Sequence, residues 1–265
     1  MYKVSKGTEN TPNILFIGGW TKPIQDALDR RYTVSYIGSY FKHIYFDGTI
    51  LEECFFKKEI DTTNIPVCVY YAEELYKEKP FDVVVSFNEA ALDSASIIAK
   101  IFDVKGFSYN ANLITRNKDM MREIIAGKDF SVDSIVCNNI KDIDEFLNKK
   151  DSIILKPPVG AGGKGVSKLD KGNDVEVFIK DNGIQLPVLV EEYVEGDVVY
   201  TVEAVSYNKK HSILAISAEV FKEGTFIINY TIMPAPIDES QKNLIIQKVM
   251  LFFDDIQMED GLTHT

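Results

Sequence analysis

Cysteine and histidine are scarce in this chain, and long apolar runs are missing altogether. Its three cysteines, Cys54, Cys68 and Cys137, stand apart with no CxxC spacing. That excludes a disulfide framework and a zinc ribbon, and the thiols read as reduced, as in the cytoplasm. The three histidines, His43, His211 and His264, are equally scattered, so they give metal-ligand spacing no support. No apolar run approaches the roughly 20 residues that span a bilayer. Residues 1–12 are polar with no h-region, so neither a membrane partner nor a secretory signal is expected. Basic clusters are absent too. Lys57-Lys58, Lys149-Lys150 and Lys209-Lys210 are isolated pairs in a chain of 265 residues with a formal net charge of −11. A surface that tracks phosphates along a nucleic acid needs clustered Lys and Arg, so nucleic acid is excluded as a partner. There is no internal repeat or low-complexity tract. What is present, 45% hydrophobic residues over this length, is enough for two cores.

The first 108 residues alternate strand and helix signals. Asn13–Ile17 is a short apolar run closed by Gly18-Gly19, the pattern of a buried parallel strand entering a turn. A helix is predicted over 22–30 and a strand over 32–37. Val67–Tyr71 reads as a further strand, with a short helix over 72–79. Phe81–Phe87 is the clearest strand of this half, and Ala91, Ala95, Ile98 and Phe102 then recur at helical spacing. Such alternation implies a parallel sheet covered on both faces, a Rossmann-like layer domain. Beyond it the texture changes. A helix is predicted over 118–125 with Thr115 or Asn117 as N-cap, followed by strands over 131–137, 152–156 and 187–193. Val198–Tyr207 and Ser212–Phe221 read as antiparallel strands joined by a turn at Asn208-Lys209-Lys210, and 243–253 as an amphipathic helix.

The sharpest chemical feature is Ile153-Ile154-Leu155-Lys156-Pro157-Pro158-Val159-Gly160-Ala161-Gly162-Gly163-Lys164-Gly165-Val166. A lysine ending a buried strand is costly unless its ammonium meets an anion or reaches water. Four glycines within 160–165 allow backbone N–H groups to approach phosphate oxygens without Cβ interference. No Lys-Ser/Thr pair opens a helix here, so this is not a Walker A loop. A flexible hairpin with a snorkelling lysine is the competing reading. In Val188-Leu189-Val190-Glu191-Glu192-Tyr193-Val194-Glu195-Gly196, adjacent carboxylates fall on opposite faces of a strand. By itself that is more often a solvated strand end. Lys118, within Thr115–Arg122, taken alone is an exposed helix lysine.

Together, in this order and spacing, the three segments resemble the ATP-grasp superfamily, in particular its amino-acid ligase and carbamoyl-phosphate-synthase-like branch. The resemblance implies an α/β fold: a Rossmann-like domain over 1–108, a small lobe of mixed α+β structure over 109–186 bearing the glycine-rich loop, and a large lobe over 187–265. It implies that Lys118 and Lys156 contact the phosphates of ATP, and that Gly160, Gly162, Gly163, Lys164 and Gly165 form the flap over them, mobile without nucleotide. Glu191, Glu192, Tyr193 and Val194 correspond to the hinge that reads adenine, with Glu191 and the backbone of Tyr193 and Val194 facing the base. After the hinge, Val198 and Val199 stand where many relatives carry an acid, which leaves Glu203 as a substitute ribose contact.

The resemblance further implies ATP and Mg2+ as cofactors and a small carboxylate, such as an amino acid, as substrate. Ligases of this kind are often homodimers. The stretch Asp260–Thr265 resembles the segment just before the family's first metal-binding glutamate, so the metal carboxylates are expected beyond Thr265, and the chain as given is expected to be a weak catalyst. A nucleotide-sensing module is the competing function. A nicotinamide dehydrogenase built on Gly18-Gly19 fails because no GxGxxG follows that strand.

Overall fold

Apolar residues in succession along Asn13–Ile17 can all be buried only if both faces of the strand are covered, and that is what the chain does. The computed structural model describes residues 11–40, 45–160, 163–196, 198–222 and 225–265; His43 and Gly162 lie outside them. Two units are distinguished, Met1–Asn112 with Glu259–Gly261 and Leu113–Met258 with Leu262–Thr265.

Unit 1 runs β1 (Asn13–Ile17), α1 (Thr21–Asp29), β2 (Thr33–Gly38), a 3-10 turn (Gly48–Glu53), β3 (Phe56–Glu59), α2 (Ile65–Glu78), β4 (Val83–Val85) and α3 (Leu92–Phe102). The sheet order is β3-β2-β1-β4, with every pairing parallel. Leu15 and Ile17 join Ile37, Cys68, Ala72, Leu75, Ala95 and Ile98 in one core, so α2 and α3 cover that face. Phe16, on the other face, joins Ile24, Ala27, Val34, Tyr36 and Leu51 beneath α1. The Rossmann-like expectation is met. Glu259–Gly261 belongs here because the backbone N–H groups of Glu259 and Asp260 both donate to Ser108 Oγ, at 2.7 and 2.8 Å.

Two local expectations are corrected. Val67–Tyr71 is helical, not a strand, and lies inside α2. Asn64 Oδ1 accepts from Val67 N–H, Pro66 sits in the first turn, and Cys68, Ala72 and Leu75 are buried at i, i+4 and i+7. Burial of that stripe overrides the β propensity of Val67, Val69, Tyr70 and Tyr71. The second is β3, a strand where none was expected, with Lys57 exposed. It is an edge strand, where lysines discourage further pairing, and Lys58 Nζ lies 4.3 Å from the Tyr71 ring centroid.

Unit 2 receives the end of α4 (Tyr109–Arg116), which crosses the boundary between the units in sequence. It continues with α5 (Lys118–Ile124), β5 (Ser134–Cys137), α6 (Ile140–Leu147), β6 (Ser152–Lys156), β7 (Ser167–Asp170), α7 (Val175–Asp181) and β8 (Val188–Glu192). These four strands form an antiparallel sheet in the order β5-β8-β6-β7. β8 is therefore central to the small-lobe sheet, and a lobe boundary at 186/187 would cut this sheet. Ile153, Leu155, Val188 and Val190 face α6 and α7 together with Ile143, Leu147 and Val175.

A second sheet, in the order β11-β10-β9-β12, comprises β9 (Val198–Tyr207), β10 (Lys210–Phe221), β11 (Ile228–Ile232) and β12 (Gly261–His264). Asn208 and Lys209 both take positive φ, 50° and 62°, which suits a tight hairpin turn. α8 (Glu239–Asp255) opens on a reciprocal capping box between Asp238 and Gln241. It buries Val249 and Phe253, the latter 5.1 Å from the His211 ring. β11 is an edge strand exposed along its length, with Ile228, Tyr230 and Ile232 at 48, 52 and 39%.

In unit 1 the ends of β1 and β2 touch closely. A Cβ on Gly38 would lie 2.9 Å from both Gly18 Cα and Tyr36 Oη, and the Gly18 side of that contact is backbone. Gly38→Ala is therefore expected to destabilise the protein by about 1–3 kcal/mol, read as a lowered urea midpoint at unchanged slope.

Candidate functional site

Strand alternation decides which side chains in unit 2 meet. Because Ile153 and Leu155 of β6 face the helices, Ile154 and Lys156 face the other way. On β8, Val188 and Val190 face the helices, so Leu189 and Glu191 share the face with Lys156. In register, Ile154 opposes Glu191 and Lys156 opposes Leu189, which makes Lys156 and Glu191 diagonal neighbours. Lys156 Nζ lies 2.7 Å from Glu191 Oε2. Arg122 of α5 completes the cluster, its Nε donating to Glu191 Oε1 at 2.7 Å and its second guanidinium nitrogen to Oε2 at 3.3 Å. Glu191 is only 5% exposed. Burial by itself would raise its pKa, but hydrogen bonds from Arg122 and Lys156, with the attraction of both charges, leave the carboxyl below the ordinary glutamate value.

Lys118 opens α5, one helical turn before Arg122, so the two lie on one helix face. Its backbone N–H donates to the Pro158 carbonyl at 2.9 Å and its ammonium to the Gly160 carbonyl. Lys118 thus touches the loop that leaves β6 directly after Lys156. Arg122 and Lys156 share one carboxylate, Glu191, in a chain of net charge −11, while Lys118 holds the loop that follows Lys156. In the loop, Gly163 and Gly165 have φ of 69° and 73°, a region where other residues are strained. A Cβ at Gly163 would approach the Phe226 carbonyl to 3.3 Å, and one at Gly165 would approach Pro157 Cδ to 3.3 Å. Gly160 and Lys164 are exposed.

The remaining sequence candidates divide. Glu192, on the opposite face from Glu191, is held by Lys150 Nζ at 2.6 Å and by the Asp133 backbone N–H at 3.1 Å. Those bonds lower its pKa, the Lys150 one most. It is not brought to the Lys156 cluster. The Tyr193 N–H is used within the sheet, donating to the Ser152 carbonyl at 3.2 Å, and its ring lies 4.3 Å beneath Lys168 Nζ. Only its carbonyl is left to face a ligand. Val194 is 65% exposed. Glu203 sits on β9 in the other sheet, hydrogen-bonded to His264 Nδ1 at 2.5 Å. On the same face, Thr201 and Ser217 oppose each other in register, and both hydroxyls are buried without a hydrogen-bond partner.

A polar cavity of about 450 Å³ is lined by Lys150, Lys168, Glu192 and Tyr193 among others, but neither Lys156 nor Glu191 borders it. Arg122 is the residue that sequence reasoning missed. The available signal was its i+4 spacing from Lys118. Among the described residues, no group of three His, Cys, Asp or Glu could hold a metal ion, and no helix is long and apolar enough to cross a membrane.

Because the folded-state pKa of Glu191 is depressed, its ionised form stabilises the fold above the unfolded value, about 4.3, and that contribution is lost as pH falls through the folded pKa. Glu191→Gln is expected to cost about 3 kcal/mol at pH 7 by leaving two cations uncompensated. It should also flatten the fall in stability below about pH 4.3, as read from urea unfolding at stepped pH. An unchanged pH slope would contradict the ion-pair assignment.

Residues 139–261 match the family model of the ATP-grasp domain. No curated protein matches the chain by sequence. Among solved structures, the L-amino acid ligase from Bacillus licheniformis is similar at 16% identity and a TM-score of 0.79, over 97% of this chain and 63% of that one. Biotin carboxylase from Campylobacter jejuni, in its β,γ-ATP complex, is similar at 12% identity and a TM-score of 0.76, over 96 and 61%. N5-carboxyaminoimidazole synthetase from Staphylococcus aureus, complexed with ADP, follows at 14% and 0.69, over 96 and 69%. The chain thus spans about 63% of the length of the amino acid ligase. At these identities the structural likeness speaks for fold, and the family match speaks for residues 139–261. Residues 139–261 thus match the ATP-grasp family, and the chain as a whole shares the fold of these solved structures.

Proposed function

We propose that this protein binds ATP against the Lys156–Glu191 face of unit 2 and serves an ATP-dependent ligase that joins a carboxylate to an amine. The observation that carries the reading is three cations, Lys118, Arg122 and Lys156, arranged around the glycine loop and one buried carboxylate. A triphosphate needs such ammonium and guanidinium donors, and the left-handed glycines allow backbone N–H groups to reach phosphate oxygens. In this reading Glu191 keeps Lys156 and Arg122 oriented until phosphate oxygens take over part of their hydrogen bonding.

The proposed reaction has two steps. A carboxylate oxygen attacks the γ-phosphorus of ATP, ADP leaves, and an acyl phosphate forms. The amine nitrogen then attacks the acyl carbon, inorganic phosphate leaves with the C–O electron pair, and the amine loses a proton to give the amide. The contribution of this chain's residues is positioning and charge neutralisation, which dominate phosphoryl transfer. Mg2+, where bound, neutralises the phosphate charge that develops in transfer. Among the described residues no group of three His, Cys, Asp or Glu could hold it. An amino acid as the carboxylate and a homodimeric assembly are carried by resemblance to the amino acid ligase. Cytoplasmic residence is supported by Cys54, Cys68 and Cys137 all being free thiols.

Lys156→Ala is expected to weaken ATP binding about 10- to 100-fold, the loss of one charge-assisted phosphate contact, measured by calorimetry. Unchanged affinity would remove Lys156 from the site.

A further inference from the structure

Glu191 brings one negative charge to two cations, and its two oxygens are not shared equally. Oε1 takes the shorter arm of the Arg122 fork, from Nε at 2.7 Å. Oε2 takes Lys156 Nζ at 2.7 Å and the longer arm of the same fork at 3.3 Å. Apolar neighbours close the arrangement in. Ile154 opposes Glu191 in register, and Leu189, which is buried, opposes Lys156. In such surroundings a charge is weighed chiefly against its immediate partners.

Two pairings are open to Lys156 there. With Glu191 to itself, the ammonium meets a whole opposite charge and forms a neutral pair, which a phosphate gains little by breaking. With Arg122 fixed on Oε1, the carboxylate's charge is divided. Two cations on one anion then leave a surplus of positive charge at the cluster. An ammonium has three N–H donors, and Lys156 directs one of them at Oε2. A guanidinium stays charged throughout the working pH range, so Arg122 keeps up this division under all conditions in which the protein is folded.

We propose that Arg122 is a positioning residue of the ATP site, acting on Lys156 through Glu191. It holds the carboxylate by Oε1 and draws off part of its charge, so that the Lys156 ammonium is left attractive to a phosphate. The proposal rests on the reading of this face as the ATP site. It adds a residue whose effect on the nucleotide passes through a carboxylate.

ATP affinity is measured by calorimetry on the whole protein, with circular dichroism to confirm that each variant is folded. Arg122→Met is expected to weaken binding about tenfold, the size of one charge-assisted bond. Adding Glu191→Gln to Arg122→Met is expected to recover at least about threefold of that loss, because Lys156 is released from a one-to-one pair. Arg122→Lys keeps the charge and is expected to stay within about threefold of wild type. No recovery in the double variant overturns the proposal, since Arg122 then acts on the phosphates directly or on the fold alone. If Lys156→Ala weakens binding and Arg122→Met does not, this proposal falls and the ATP reading stands. A wild-type protein that binds no ATP overturns both. If either variant carrying Arg122→Met does not fold, Arg122→Lys decides, and a loss of about tenfold or more there overturns the proposal.

Discussion

One buried carboxylate shared by two cations organises unit 2. Glu191 could not be left alone at 5% exposure, because a desolvated charge without partners is far more costly than any contact nearby can offset. Arg122 and Lys156 answer that cost from different elements, a helix and a strand end, and so fix α5 against the sheet. Once α5 is placed, Lys118 at its start must lie along the loop that leaves β6, and its bonds to Pro158 and Gly160 follow. The ion pair is thus structural in what it holds and chemical in what it leaves facing outward. Buried ion pairs are weak sources of net stability, which fits a cluster kept for arrangement more than for strength.

Unit 1 depends on a different constraint, complete burial of a strand on both faces. Successive apolar residues on β1 alternate between two cores, and helices on each side close them. That leaves the strand ends as the places where polar groups and exposed rings can be presented without disturbing the core. The glycines after β1 and at the end of β2 let these ends approach at backbone distance.

Much of this was legible in the sequence, and the reasons differ by element. β1, β6 and β8 announced themselves because short apolar runs bounded by glycine, proline or acids have few other uses. The Lys156–glycine loop and the Glu191 strand end were recognisable as a pair; Lys156 meets Glu191 directly, and Lys118 meets the loop at Pro158 and Gly160. Val67–Tyr71 misled because β-branched and aromatic residues carry strand propensity, while the stripe Cys68, Ala72, Leu75 that makes it a helix depends on what covers it. Arg122 was hidden because an arginine on a short helix looks solvated until a buried acid is placed opposite. Glu192 and Tyr193 differ from expectation through hydrogen bonding: Lys150, Asp133 and Ser152 engage them within the sheet. Those partners lie 41 to 59 positions away along the chain, a range that no local pattern reaches.

β11 has a practical consequence. It offers a row of backbone donors and acceptors on a sheet edge, decorated with isoleucine and tyrosine and with no lysine or proline within it to repel a neighbouring chain. Two such edges can zip together in concentrated solution irrespective of any native assembly. Self-association seen by scattering or gel filtration would therefore speak first of this ribbon, and a charged residue introduced at Tyr230 is the control that separates adhesive stickiness from a true quaternary structure.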